Sequence, residues 1–380
     1  MVTYVALLML LQMGAAPAVA TLLSALLFLP WVLKSFVRPR VERVGHFRVQ
    51  LHIAEGLLTV VMILLALSFR HGLIVVFVCL MATSLLCAWH ELTARMYYER
   101  MLTPVFQRLF TSPKMATSQI AVILTYGVLI FMVGTLQVYF RQIRYSWSLG
   151  CYVAAGIFLL FTFHHLLWLR NVTEQPHHKF IEPARPRSLA GVWEDFLLLL
   201  LLLLPQGLMF HARVLYLFAE AEDGGLECTM PEIGFAQGTV GVIAFSIGIA
   251  IGRRFIAHHR WPQVFWPMAV CLVLSPFVYL GMTVFPPQSL IALSACTMAA
   301  QLLFGLGIGI CRHPIHNISG ARYRNTINML QIPLISAALL VPMAMSGLLV
   351  EWLGYSRFFL LNALSGPVCL LVIWLLRKRK

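Results

Sequence analysis

Eleven stretches of this chain are each apolar over roughly the 20 residues that a helix needs to cross about 30 Å of hydrocarbon. They run approximately over residues 16–34, 50–69, 72–90, 116–138, 146–169, 195–219, 236–257, 262–281, 288–311, 327–349 and 358–376. A lipid interior offers backbone N–H and C=O groups no water, so each stretch must close its hydrogen bonds within itself and is read as a helix. A chain of 380 residues that is 60% hydrophobic and 11% charged is excluded from the soluble globular class. Met1 to Leu11 is apolar too, but at 1.5 Å per residue it reaches only about 16 Å, half a bilayer. No basic region precedes it, which argues against a secretory signal. We expect a shortened first helix whose true start lies upstream of Met1 or which is genuinely truncated.

The basic residues give the orientation. Twenty-three of the 28 Lys and Arg residues fall in every second gap between apolar stretches or in the tail, and the intervening gaps hold only Arg70, Arg141, Arg144 and Arg357. Short basic loops stay in the cytoplasm, so the expected topology has a cytoplasmic C-terminus and an outward-facing acidic loop from Glu220 to Glu232. The net charge of +14 is therefore read as topology and contact with anionic membrane lipids, and no nucleic-acid partner is expected. Seven of the eight cysteines lie in apolar stretches without metal-ligand or redox spacing, and Cys228 stands alone outside them. They read as small core hydrophobes; no metal and no cofactor are expected.

The longest hydrophilic stretch, residues 170–194, carries Pro176, Pro183, Pro186 and mixed charge, the composition of a linker. It splits the chain into residues 1–169 and 195–380, six helices each when the shortened one is counted. Two six-helix halves joined by a cytoplasmic linker point to an all-α integral membrane fold of the major facilitator superfamily type, about twelve helices with the first truncated.

Four motifs narrow this. The run from Phe28 to Arg43, FLPWVLKSFVRPRVER, resembles the PW-x-x-K-x-x-W-x-P-x-x-D-R signature of AmpG-like permeases. Ala88 to Ala94, AWHELTA, resembles that family's fourth-helix element; Glu232 to Val242, EIGFAQGTVGV, the start of its eighth helix; and Gly347 to Tyr355, GLLVEWLGY, its last helix connection. The resemblance implies a bacterial inner-membrane importer, in the best-known members a proton-driven permease for anhydro-muropeptides, with acetyl-CoA carriers and siderophore permeases in related branches. Glu42 and Glu91 match family acids. Arg95 stands where a second Asp is frequent, Gln119 where an arginine is usual and Gln206 where a seventh-helix acid is typical; the last two exchanges remove charge from the expected cavity.

Polar residues inside apolar stretches need a cavity, a partner or a function. His52 and Glu55, three apart on one helical face, read either as a proton-titratable pair or as an interfacial pair reaching back to the cytoplasm. In the seventh helix Gln206, His211 and Arg213 are candidate substrate contacts, with Arg213 suited to an anionic group; its alternative role is pairing with Glu220 or Glu222. Gln301, Asn328 and Gln331 add hydrogen-bonding candidates that polar contact between helices explains as well. Lys34, Arg38, Glu42 and Arg43, with His90 and Glu91, are gate candidates at the cytoplasmic mouth, or simple positive-inside anchors. His164 and His165 read as interfacial. The expectation is a monomeric transporter taking a small polar, anionic solute inward, coupled if at all to protons. The alternatives are a permease for a siderophore or other small molecule, and a transport-inactive membrane scaffold or sensor. No spaced His, Cys or acidic cluster offers an enzyme's constellation.

Overall fold

The computed structural model describes residues 2–102, 111–169, 189–259, 261–309 and 324–378, and among these every regular element is helical. The first half holds α1 (Val2–Gln12), α2 (Pro17–Leu26), α3 (Leu29–Val44), α4 (Phe47–Ser68), α5 (Leu73–Met101), α6 (Thr111–Ile123), α7 (Leu129–Phe140) and α8 (Ile143–Trp168). The second holds α9 (Leu189–Phe218), α10 (Met230–Ile233), α11 (Gly241–His258), α12 (Trp261–Val284), α13 (Leu290–Ile308), α14 (Arg324–Leu353) and α15 (Tyr355–Lys378). Two π-helical segments, Leu124–Val128 and Gly234–Val240, join α6 to α7 and α10 to α11 into continuous rods. Eleven of the described helical stretches are long and apolar enough to cross a membrane, from Pro17–Lys34 to Tyr355–Leu375, in the places the apolar runs indicate. Most of the stretch read as the linker lies outside the described residues; α9 begins at Leu189.

Apolar-run length and helix length part company where a helix outlives the hydrocarbon. α5 continues to Met101 because Leu92, Met96 and Tyr97 pack on Val41 and Phe47, forming a small core of its own at the basic end. α1 is short but not superficial: every residue from Thr3 to Leu10 is buried, as expected of a helix apolar on all sides. A turn through Gly14, at φ +89°, reverses the chain into α2. Gln12 closes that end by exchanging amide hydrogen bonds with Gln137 at 3.1 and 2.7 Å and accepting from Trp147 Nε1 at 2.7 Å.

The halves meet along two seams. In one, the π-helical segments cross so closely that glycine is obligatory: a Cβ on Gly238 would strike the Tyr126 carbonyl, and one on Gly234 would lie 2.8 Å from the Phe131 nitrogen. A π turn inserts one extra residue, which rotates the crossing faces and marks functional positions in many helices. In the other seam α14 runs along α2 and α3. There Thr21 and Pro17 close over Gly347, and Glu351 Oε1 accepts from the Ala18 backbone N–H at 2.8 Å, capping α2 from the opposite half.

Candidate functional site

The sequence candidates separate into three places. The first is the buried meeting point of the two halves. Arg213 of α9 is only 8% exposed, and its Nε finds no hydrogen-bond partner. Its guanidinium lies 5.2 Å from the Phe210 ring centroid and interacts electrostatically with Tyr4, Tyr126 and Tyr279. Tyr4 and Tyr126 stack with ring centroids 4.4 Å apart, and the Tyr4 hydroxyl, like Arg213 Nε, is buried without a partner. Tyr279 donates to Gln237 Oε1 at 3.1 Å and bonds Gln301. Arg213 and Gln301 are thus brought together, beside three tyrosines drawn from three elements.

The neighbouring candidates take other partners. Gln206 donates to the Leu272 carbonyl at 2.6 Å, tying α9 to α12. His211 is fully buried in the second seam, with Ser24 Oγ 3.4 Å from both ring nitrogens. The side chains of Asn328 and Gln331 lie outside the described residues.

The second place is an ion-pair ladder between α3 and α5. Lys34, 6% exposed, sits 2.6 Å from Glu91 Oε1, while Trp31 Nε1 donates to Glu91 Oε2 at 3.0 Å. Below it Glu99 binds Arg38 at 3.2 Å and Arg95 at 3.0 Å, and Arg100 lies 3.6 Å from Glu42. Arg43 is exposed. The two ends of the Lys34–Glu91 pair are unequal, because the lysine is buried and the glutamate side chain is 52% exposed. Glu91→Gln should therefore destabilise the protein by about 3 kcal/mol, since it leaves a buried cation without its carboxylate. Lys34→Met, which returns Glu91 to solvent, should cost less than about 1 kcal/mol. Melting temperatures of the two purified variants check the order; equal losses would mean that the lysine is not buried as described.

The third place holds Glu55, 2% exposed in its side chain. Its Oε1 lies 3.1 Å from His90 Nε2 and 2.5 Å from His165 Nδ1, and its Oε2 lies 3.8 Å from His52 Nδ1. His90 therefore belongs with Glu55, not with the ladder.

Six participants were not picked out from sequence: Tyr4, Tyr126, Tyr279, Gln237, Glu99 and His165 in this role. Glu99 carried a signal in its i,i+4 spacing from Arg95, and His165 in the doubled histidine of an apolar helix. A tyrosine in an apolar run carries none, because its ring packs anywhere.

No family model matches the chain, and no curated protein matches it. Solved structures do. The crystal structure of the nucleoside transporter NupG is similar over 100% of this chain and 95% of that one, with a TM-score of 0.75 and 12% identity. The D-xylose–proton symporter follows at 98% and 92% coverage, TM-score 0.69 and 12% identity. A bacterial homologue of the iron transporter ferroportin, in its inward-facing state, gives 96% and 93% coverage, TM-score 0.61 and 16% identity. The chain shares the all-helical fold of these structures, with a polar, aromatic centre between its earlier and later helices.

Proposed function

We propose that the chain is a secondary transporter that carries a small polar solute with an anionic group across a bacterial inner membrane, using the ring around Arg213 as its binding site. One observation carries this reading. A buried guanidinium with an unpartnered Nε, beside an unpartnered tyrosine hydroxyl, is costly unless something binds there. An anion meets the guanidinium, and a flat or sugar-like body meets the Tyr4–Tyr126 stack. The names of the similar structures, transporters of a nucleoside, a pentose and iron, support a transport role and leave the solute open. The AmpG-like motifs make an anhydro-muropeptide the first solute to try. The basic ends of the helices face the cytoplasm by the positive-inside rule, and Glu55 with its histidines supplies any proton coupling.

Uptake into vesicles reconstituted with the purified protein is the test, with anhydro-muropeptides, siderophores, nucleosides and pentoses offered with and without a proton gradient. Saturable uptake of an anionic member supports the reading. Absence of uptake and of any ligand-induced thermal shift across the panel overturns it in favour of a scaffold.

The topology has its own check in Cys228, in the loop before Met230. Burial, and secondarily the Glu232 carboxylate, push this thiol up to about 12. The thiolate is the reactive form, so an impermeant maleimide applied to intact cells should label Cys228 slowly at pH 7, the rate rising about tenfold per pH unit through the alkaline range. A cysteine introduced between residues 170 and 188 should stay unlabelled until the cells are opened; labelling there first would invert the topology.

A further inference from the structure

We propose that Glu55, His52, His90 and His165 form one proton-binding unit, reached from the basic end of the molecule through a pocket walled by the two outer histidines, and that its proton holds α8 against α4 and α5. The inference deepens the transporter reading by naming the groups that would carry its coupling ion, and rests on that reading only for the transport consequence.

Charge balance gives the argument. An ionised carboxylate only accepts hydrogen bonds, so each imidazole in contact with Glu55 Oε1 must present an N–H to it. With all three imidazoles neutral, the unit would be a net negative charge in a site that leaves Glu55 2% exposed, an expensive arrangement in a low dielectric. One added proton makes it neutral. Which member carries that proton is secondary, since groups this close titrate as a set.

His165 lies in the last turn of α8 and reaches Glu55 of α4 from there. Charged groups on the packed elements have partners of their own, and Arg48 also acts electrostatically on His52. Arg48 of α4 donates to the Leu166 carbonyl at 3.2 Å. Lys34 is held by Glu91, and Arg95 by Glu99. His164 of α8 stacks on Trp168 with centroids 6.0 Å apart.

Access comes from a pocket of about 480 Å³ between α4, α5 and α8, whose wall includes Leu51, His90, Tyr97, Met101, His165 and Trp168. It is large enough for several waters. Glu55 does not line it but His90 and His165 do, so a proton that enters by this pocket reaches the carboxylate through an imidazole. Because the four residues come from three helices, losing the proton leaves a buried negative charge at the junction and weakens the hold on α8.

The test counts protons in the full-length protein in detergent. On this proposal the folded unit keeps one proton that the unfolded chain, with Glu ionised and His neutral above about pH 7.5, lacks. Stability should then fall as pH rises. The wild-type melting temperature is expected to drop more between pH 7 and 9 than that of Glu55→Gln, and wild type should release about one more proton on unfolding at pH 8 than the variant, measured by calorimetry in two buffers of different ionisation enthalpy. His165→Gln and His90→Gln should each reduce the difference; if one fails to fold, the other with Glu55→Gln still decides. Parallel pH slopes and equal proton release in wild type and Glu55→Gln overturn the unit. In vesicles, Glu55→Gln should lose gradient-driven accumulation and keep solute exchange. A proton count that differs as expected, in a protein that moves no solute, sustains the unit and defeats the transporter reading instead.

Discussion

Arg213→Met is expected to make the protein more stable and, at the same time, unable to bind its solute. The native residue places a positive charge at 8% exposure with an unpartnered Nε. Replacing a buried charge by an apolar side chain of similar length commonly gains about 1–4 kcal/mol, and the Phe210 ring beside it can pack on methionine as readily as on the guanidinium. A melting temperature several degrees above wild type is the expected reading. Binding should fall at least 100-fold, about 3 kcal/mol, because a charge-assisted, bidentate contact to the solute's anionic group is removed. Arg213→Lys keeps the charge and loses the fork, so binding should fall by about tenfold. A stabilised Arg213→Met protein that still takes up solute at the wild-type rate would remove Arg213 from the site. A destabilised one would show that the arginine is a structural tie.

Gly238→Ala is expected to damage both stability and transport although alanine is the better helix former. A Cβ at this position meets the Tyr126 carbonyl oxygen and carbon, and the Gly127 nitrogen at 2.6 Å. These are backbone atoms of the opposite half, and they cannot rotate away as a side chain would. The π-helical segments must separate, and overpacking of this kind costs about 1–3 kcal/mol, more when backbone has to move. Gly156 on α8 is the control, since a Cβ there meets nothing within 4 Å. Gly156→Ala should gain about 0.5 kcal/mol from helix propensity alone and leave uptake unchanged. Melting temperature and uptake of the pair separate crossing geometry from intrinsic preference. Equal behaviour of the two variants would mean that the seam opens without cost.

Hydropathy locates a helix in an apolar chain far better than it orients one. The eleven long spans were legible because each apolar run matches the bilayer thickness, and the Lys34–Glu91 region was legible as a dense charge cluster after an apolar run. The pairing inside that cluster was not. Sequence put His90 with Glu91, its neighbour along the chain, but adjacent residues on a helix point about 100° apart. Glu91 turns to Lys34 at 2.6 Å and His90 to Glu55 at 3.1 Å. Gln206, read as a cavity residue from its place in the seventh helix, instead donates to the Leu272 carbonyl.

By itself the sequence determined the number of long spans and the alternation of basic and non-basic gaps between them, because bilayer thickness and loop charge act on one segment at a time. Only the tertiary structure decided which polar groups meet. Tyr4 faces Tyr126, Arg213 is drawn among Tyr4, Tyr126 and Tyr279, and Glu55 gathers His90 from α5 and His165 from α8. In a soluble helix the apolar stripe announces the buried face; here lipid accepts apolar side chains on every other side, so the faces look alike in sequence and the choice is made by backbone approach at glycine crossings and by pairing of the few polar groups across helices.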